Sequence, residues 1–168
     1  MITVLVLGKN SYERNLDIAL TARAFGASEV VYTSNKDQKL IKQVKNIVNK
    51  WGGVFSVDFI KNWKKYIKEK KNYKTIYLTM YGKPLNSTTS FVRDYKNLII
   101  IVSSADVNKS LLQTADFNVS ITNQPHCETS AIAIFLHHFY EGRELAIHFE
   151  NAKYKIVPAE RNIKVTRY

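Results

Sequence analysis

The chain has 168 residues, of which 45% are hydrophobic, enough for one domain with a buried core. Lysine and arginine number 25 against 14 aspartates and glutamates, and the formal net charge of +11 favours a polyanionic partner, above all nucleic acid. A single cysteine excludes an intramolecular disulfide, and the longest apolar run, Leu98–Val102, is far too short to span a membrane. We therefore expect a cytoplasmic protein without a membrane segment.

The positive charge has two other interpretations. An anionic membrane surface is the second candidate partner, and a lysine-rich proteome would produce the same bias without any polyanion. The amino terminus, MITVLVLGKN, lacks both the length and the preceding positive region of a signal peptide.

The first part of the chain alternates short apolar runs with segments of helical spacing. We predict strands at residues 2–7, 28–33 and 54–59, and helices at 13–25, 37–51 and 62–71. In the first helix, Leu16, Ala19, Leu20 and Ala24 are expected to face the core, with Arg14 and Arg23 off that face.

The same alternation continues to the end of the chain. We predict strands at 75–80, 98–102 and 117–121, a short helix ending near residue 95, and helices at 106–115 and 127–140. The strand at 98–102 is wholly apolar, which indicates a central position. In the tail, residues 153–157 and 163–166 are expected to pair as strands.

Regular alternation of strand and helix predicts an α/β fold with a mostly parallel sheet and helices on both faces. Residues 1–168 are expected to form one domain. Polar residues and glycines follow the first, fourth, fifth and sixth strands. These turns all lie at the carboxyl edge of such a sheet, where ligands bind.

The polar loop Thr122–His126 joins the sixth strand to the last long helix. Pro125 suits a helix start, and Glu128 together with the Thr122 and Asn123 side chains is expected to cap the free amides. The positive end of the helix dipole makes such a junction a candidate ligand site. A capped core helix without ligand is an equally good interpretation of these residues alone.

Several familiar motifs are absent from the sequence. It contains no GxGxxG, no P-loop, no HExxH and no CxxC, which argues against a dinucleotide enzyme, an NTPase and a zinc site. Neighbouring histidines on a helix, such as His137 and His138, point in different directions. Cys127 beside His126 and Glu128 invites comparison with a thiol nucleophile, but sequence neighbours at a helix start rarely form a catalytic dyad.

Lysines are concentrated in the segments 36–50 and 61–74, interleaved with aromatic residues. The aromatic residues are Trp51, Trp63, Tyr66 and Tyr73. Lysines neutralise phosphates and exposed rings stack on unpaired bases, so the set favours RNA binding. For the individual aromatic residues, packing against the core is the commoner arrangement.

Six sequence blocks occur in an order and spacing that resemble a known family. They are LTARAFGA (20–27), WGG (51–53), LTMYG (78–82), NQPHCE (123–128), EGREL (141–145) and AKYKIVPAER (152–161). Together they resemble the archaeal tRNA cytidine-56 2'-O-ribose methyltransferases of the SPOUT class, over nearly the whole chain.

The resemblance implies a function and a topology that the composition does not. It implies S-adenosylmethionine-dependent methylation of the ribose of cytidine 56 in tRNA by a homodimer. It also implies a SPOUT-like fold with a trefoil knot within about residues 75–145, one of the rare exceptions to un-knotted topology, followed by a C-terminal extension, 146–168.

By the same resemblance, three loops of the knot hold the cofactor. The matching positions are Leu78, Ser103, Ser104, Ala105, Asp106, Val107, Ile121, Thr122, Asn123, Gln124, Pro125, His126, Cys127 and Glu128. No metal is implied.

Related enzymes use an arginine near the first helix, and Arg23 and Arg14 both qualify as the catalytic arginine here. Arg23 lies in a matched block, whereas Arg14 ends a loop that is about three residues shorter than usual in the family. Asn123 and His126 are candidates for orienting the cofactor or the ribose.

The sequence departs from the family pattern at four cofactor positions. Ser103 and Thr122 stand where glycines are usual, Ala105 replaces a glutamate and Cys127 replaces a serine. These departures leave two alternatives open: a non-catalytic tRNA-binding relative, and a ribose methyltransferase acting at another RNA position.

Overall fold

The computed structural model describes residues 1–104 and 109–168. The strands are β1 (Ile2–Leu7), β2 (Glu29–Tyr32), β3 (Ser56–Phe59), β4 (Lys74–Pro84), β5 (Leu98–Ser103), β6 (Phe117–Ser120), β7 (Tyr154–Val157) and β8 (Lys164–Arg167). The α-helices are α1 (Tyr12–Ala24), α2 (Gln38–Trp51), α3 (Trp63–Glu69), α4 (Leu85–Val92), α5 (Lys109–Thr114) and α6 (Glu128–Tyr140). A 3-10 turn spans Arg143–Ala146.

Within the described ranges the main sheet has six parallel strands in the order β3-β2-β1-β5-β4-β6. β1 and β5 pair along six residues at its centre, and the apolar side chains of both strands are buried. Continuous apolar runs of this kind are typical of strands covered on both faces. The predicted parallel sheet and the central position of residues 98–102 are confirmed.

Helices cover both faces of the sheet, as predicted. Alternate β1 residues enter different clusters: Val4 and Val6 pack with α1, α2, α4 and α6, whereas Leu5 and Leu7 pack with α3 and α5. The two lysine-rich helices, α2 and α3, therefore lie on opposite faces. The basic segments 36–50 and 61–74 do not form the single surface that their proximity in sequence suggested.

Three local predictions are wrong. The buried face of α1 includes Ile18, Ala22 and Arg23, so Arg23 does not lie off the core side. Ala24, expected to face the core, is exposed. β4 does not end at residue 80 but continues to Pro84, and its pairing with β6 shifts register between Leu78 and Lys83. The register shift lets a segment containing glycine and proline remain paired with β6, the edge strand.

The C-terminal extension forms the predicted antiparallel pair, β7 with β8. It is attached to the end of α2 by backbone hydrogen bonds, from Gly53 N–H to Glu150 O (2.7 Å) and from Lys153 N–H to Lys50 O (3.1 Å). A Cβ added to Gly52 would lie 2.5 Å from Glu150 O, so the approach requires glycine.

Candidate active site

A cavity of about 160 Å³ lies at the carboxyl edge of the sheet, between the ends of β4 and β5 and the start of α6. Its walls come from Tyr77, Leu78, Thr79, Met80, Val102, Ser103, Pro125, His126, Cys127, Glu128 and Ala131. The strand residues supply apolar walls, and the loop before α6 supplies polar groups. Such a combination at this edge is typical of ligand sites in α/β proteins.

The loop before α6 is held in place by two side-chain hydrogen bonds. Asn123 Nδ2 donates to Met80 O within β4 (2.6 Å), and His126 Nδ1 lies 2.8 Å from Gln124 O. A carbonyl oxygen only accepts, so Nδ1 carries the proton. In the neutral ring, Nε2 of His126 therefore keeps its lone pair.

The expected cap of α6 does not form. Cys127 occupies the N-cap position and no side chain caps the helix. Asn123 instead bonds to Met80, and the Glu128 carboxylate bonds to Arg14. Two of the three predicted capping groups are thus engaged elsewhere, and the positive end of the α6 dipole lies beside the cavity.

The Cys127 thiol is activated by its neighbours. Its Sγ lies 3.0 Å from Ser130 Oγ and 3.1 Å from Thr129 Oγ1. These side-chain hydrogen bonds lower the pKa of Cys127 to about 7. A substantial fraction of this thiol is therefore thiolate at neutral pH.

Arg14, in the first turn of α1, contacts Glu128, which lines the cavity. Its Nε donates to Glu128 Oε2 (3.1 Å), and Nη2 of Arg14 donates to the same oxygen. Glu128 is only 8% exposed, whereas the Arg14 side chain is half exposed. The ion pair therefore holds a partly exposed cation against a residue that lines the cavity.

The structure does not bring Arg23 to this cavity. It lies nine residues further along α1, about 14 Å at 1.5 Å per residue, near the opposite edge of the sheet. Arg23 Nη2 donates to Gly52 O (2.6 Å) and Trp51 O (3.2 Å). Burial lowers the pKa of the Arg23 guanidinium, but its contacts are with the end of α2.

The other predicted positions divide into three groups. Leu78, Ser103, Pro125, His126, Cys127 and Glu128 line the cavity. Ile121, Thr122, Asn123 and Gln124 lie in the loop without lining it, and the Ser104 N–H bonds to Leu7 O (3.2 Å). Ala105, Asp106 and Val107 lie outside the described residues.

Sequence reasoning missed five lining residues and the ion pair. Tyr77, Thr79, Met80, Val102 and Ala131 line the cavity. Tyr77, Thr79 and Met80 surround Leu78 within β4, and Val102 lies next to the end of β5, so their positions in the strand pattern were a usable signal. Nothing in the sequence pairs Arg14 with Glu128, which are 114 residues apart.

The described residues contain no cluster of three or more histidine, cysteine, aspartate or glutamate side chains able to hold a metal ion. Among the helices of residues 1–104 and 109–168, none combines the length and hydrophobicity needed to cross a bilayer.

A sequence model of the tRNA ribose 2'-O-methyltransferases called aTrm56 matches residues 51–166, which is 116 of the 168 residues. The chain belongs to this family. The resemblance of the six sequence blocks is thereby confirmed.

Curated relatives extend the match to the amino-terminal half. The tRNA (cytidine(56)-2'-O)-methyltransferase of Thermococcus kodakarensis is 40% identical over 174 residues, covering 98% of this chain and 96% of its own. The Methanocaldococcus jannaschii protein of the same name is 42% identical over 154 residues, covering 89% of this chain and 86% of its own.

Solved structures show the same fold at low identity. The TrmH/SpoU tRNA modifying enzyme of A. aeolicus has a TM-score of 0.64 at 16% identity, covering 86% of this chain and 76% of its own. The SpoU methyltransferase AviRb of Streptomyces viridochromogenes, solved with AdoMet, has a TM-score of 0.63 at 12% identity, covering 84% and 57%. The SpoU-like fold predicted for this aTrm56 member is confirmed.

Proposed function

We propose that the protein transfers a methyl group from S-adenosylmethionine to the ribose 2'-oxygen of cytidine 56 in tRNA. Membership of the aTrm56 family and the names of its curated relatives support the reaction and the substrate. The observation that carries the assignment to this site is the ion pair between Arg14 and Glu128, a residue that lines the carboxyl-edge cavity.

The residues around the cavity suit the proposed cofactor. Leu78, Val102 and Ala131 offer apolar contacts for an adenine ring, and the uncapped start of α6 offers backbone donors. The described cavity is smaller than the 300 Å³ or more that is typical of such sites. With the loop before α6 in this position, it encloses only part of S-adenosylmethionine. When bound, S-adenosylmethionine supplies a methyl group on a positively charged sulfur, so the leaving group is neutral.

We assign to Arg14 the stabilisation of the reacting 2'-oxygen. As the 2'-hydroxyl loses its proton, negative charge develops on the oxygen, and a fixed guanidinium stabilises that charge without reorganising. Glu128 accepts from both Nε and Nη2 of Arg14, which holds the guanidinium plane while leaving donors on its other edge. The cation is therefore oriented before the substrate arrives.

We assign to His126 the role of accepting the proton of the 2'-hydroxyl. Its Nδ1–H bond to Gln124 O fixes the ring, so the neutral side chain has its Nε2 lone pair available at a wall of the cavity. A positioned imidazole of this kind accepts a hydroxyl proton as a general base. The oxygen–carbon bond forms as the carbon–sulfur bond breaks, and the proton passes to His126.

Methyl transfer to unmodified tRNA tests the proposal. The protein is incubated with isotopically labelled S-adenosylmethionine and an unmodified archaeal tRNA transcript, and the labelled nucleotide is mapped. Label at the cytidine 56 ribose supports the proposal. Label at another nucleotide identifies a different position, and a folded protein that binds tRNA without transferring label is a non-catalytic relative.

We also propose that the chain forms a trefoil knot within about residues 75–145. The order of the strands supports it: β4 lies between β5 and β6, and the segment after β6 returns to the cavity between β4 and β5. An experimental electron-density trace tests the threading. An un-threaded path of residues 121–127 would contradict it.

A homodimer is the proposed assembly. Phe91 on α4 is 67% exposed and Ile134 on the adjacent α6 is 44% exposed, and unpartnered apolar side chains of this kind favour association. Sedimentation equilibrium tests this. We expect a dimer for the unmodified protein and dissociation for Ile134→Lys; a monomeric unmodified protein would contradict it.

We propose a cytoplasmic location and one methyltransferase domain over residues 1–168, with 146–168 as its extension. The charge, the single cysteine and the hydrogen bonds between the extension and α2 support both statements. Cell fractionation tests the location, and a single cooperative unfolding transition tests the domain.

A further inference from the structure

A second concavity lies between the end of α2 and the C-terminal extension, with a volume of about 450 Å³. We call it the C-terminal groove; its main walls are Arg23, Trp51, His148, Phe149, Tyr154 and Tyr168. Its volume is within the usual range for small-ligand sites. None of these residues lines the carboxyl-edge cavity.

Arg23 has hydrogen-bonding capacity that the described residues do not use. It is only 8% exposed, yet both of its hydrogen bonds leave from Nη2, to Trp51 O and Gly52 O. Its buried Nε has no partner among the described residues. Arginine only donates, so the unused donors favour a ligand that presents carbonyl or ring-nitrogen acceptors.

Aromatic rings form the rest of the groove. The Trp51 and Tyr154 centroids are 6.3 Å apart at 58°, and those of His148 and Tyr168 are 6.5 Å apart at 82°. The first pair is tilted and the second is edge-to-face, so neither is a stacked pair, and Tyr168 is 67% exposed. The Arg23 guanidinium lies over the Phe149 ring, 4.4 Å from its centroid. Flat faces beside a cation are suited to stacking a planar ring.

The charge around the groove is positive. Lys50 Nζ lies 5.0 Å from the Trp51 ring and 5.5 Å from the Tyr154 ring, and the exposed Lys155 is part of the lining. The exposed Glu150 is the acidic neighbour on the same connecting segment. The lysines complement a phosphate backbone, and the aromatic rings complement an unpaired base.

We propose that the C-terminal groove binds an unpaired base of the RNA substrate, stacked on its aromatic walls with its acceptors facing Arg23. The inference rests on the proposed function, because that function makes RNA the substrate. Arg14 and Arg23 are about 14 Å apart along α1, roughly four stacked nucleotides at 3.4 Å each. One RNA therefore reaches both sites, and the groove positions the strand relative to the reacting ribose.

Tryptophan fluorescence tests the groove directly. Trp51 lines it, whereas Trp63 packs against the opposite face of the sheet. In Trp63→Phe protein, we expect a single-stranded cytidine decamer to quench Trp51 saturably. Adding Tyr154→Leu should weaken the apparent affinity about fivefold or more, as expected when a stacking ring is lost. The control is Trp51→Phe protein, whose remaining tryptophan, Trp63, reports quenching outside the groove. The proposal is overturned if the decamer quenches Trp63 as strongly as Trp51, or if it does not quench Trp51.

Steady-state kinetics test the role in catalysis. Tyr168→Ala and Lys155→Gln should raise KM for tRNA about fivefold, with kcat and the Kd of S-adenosylhomocysteine unchanged. The matched controls are Ile163→Ala in the exposed tail and Lys96→Gln in the turn before β5, outside both basic segments; both should keep the original KM. An unchanged KM in the groove variants overturns the proposal.

Sedimentation of the same variants separates RNA binding from protein contact. Variants that raise KM and keep the oligomeric state support the groove as an RNA site, whereas dissociation of the oligomer identifies a subunit contact and overturns it. Saturable quenching of Trp51 without any methyl transfer by the unmodified protein would refute the proposed function alone. Normal transfer with unchanged KM in the variants would refute the groove alone.

Discussion

The Arg14 guanidinium in the first turn of α1 donates to the Glu128 carboxylate in the first turn of α6, and the two residues are 114 positions apart. A buried carboxylate needs a partner, and here the partner is the cation we assign to the reacting oxygen. The pairing therefore serves both the stability of α6 and the orientation of Arg14.

Arg14→Ala should lower kcat about 100- to 1,000-fold, because a fixed cation at a developing oxyanion is lost. Binding of S-adenosylhomocysteine should change less than threefold. Calorimetry and single-turnover methyl transfer measure the two quantities. Arg161→Ala, which removes an exposed arginine, should keep kcat; a comparable loss there would contradict a specific role for Arg14.

Glu128→Gln should lower kcat by about 10- to 100-fold, since Arg14 would lose its charged partner and its orientation. The affinity for S-adenosylhomocysteine is the accompanying readout and should change little. If kcat is unaffected while the thermal midpoint falls, Glu128 stabilises α6 without positioning Arg14.

His126→Asn should lower kcat about 100-fold or more, because an amide does not accept the proton of the ribose hydroxyl. The measurement is single-turnover methyl transfer at saturating tRNA. Gln124→Ala is the matched control, since only its backbone carbonyl contacts His126. A His126→Asn rate within threefold of the original would reject His126 as the base.

Cys127 is the only cysteine, so alkylation of cysteine in this protein reports on that thiol alone. With a pKa of about 7, its rate of reaction with iodoacetamide should rise with pH and reach half its plateau near pH 7, below the ordinary value of about 8.5. Ser130→Ala should move that midpoint upward. S-adenosylhomocysteine should slow the reaction, because Cys127 lines the cavity; undiminished alkylation at saturation would contradict the cofactor site.

Thr122→Gly should leave the affinity for S-adenosylhomocysteine within about twofold. Thr122 is exposed, does not line the cavity and does not have a positive φ, so a glycine is not required there. The extra backbone freedom should lower stability by about 1 kcal/mol or less. A tenfold gain in affinity would instead mean that the threonine obstructs the cofactor.

Gly82→Ala should destabilise the protein by about 3 kcal/mol or more, because its Cβ would lie 2.4 Å from Val119 N and 2.5 Å from Asn118 O. Urea denaturation measures the change. Gly142→Ala is the matched control: its nearest contact is 3.6 Å, so only the cost of a positive φ, about 1 kcal/mol, is expected. Equal losses would show that the contact at Gly82 is relieved by movement.

The sequence predicted the elements whose signals are local. The apolar run of β5 indicated a central strand, and Asp37 caps α2 as expected, accepting from the Leu40 N–H at 3.0 Å. The continuation of β4 through Gly82 was not predictable, because glycine and proline are typical of a turn. Only its pairing with β6, which depends on the tertiary fold, keeps that segment extended.

The sequence predicted the location of the candidate site more accurately than the residues that form it. The loop before α6 does lie beside the ends of β4 and β5. Helical spacing did not show which of Arg14 and Arg23 belongs to the site. Arg23 is instead held at the end of α2, where it donates to two backbone carbonyls. Such contacts between distant segments leave no periodic trace in a sequence.

The central pair of the sheet joins two strands that are synthesised far apart. β1 has β2 on one side, but its other neighbour, β5, begins 96 residues later at Leu98. Until Ser103 has left the ribosome, a growing chain that has made β1, β2 and β3 still has the apolar β1 as an unpaired edge. Such non-local pairing slows folding and exposes strands that aggregate, so the nascent chain is the stage at which this protein most needs a chaperone.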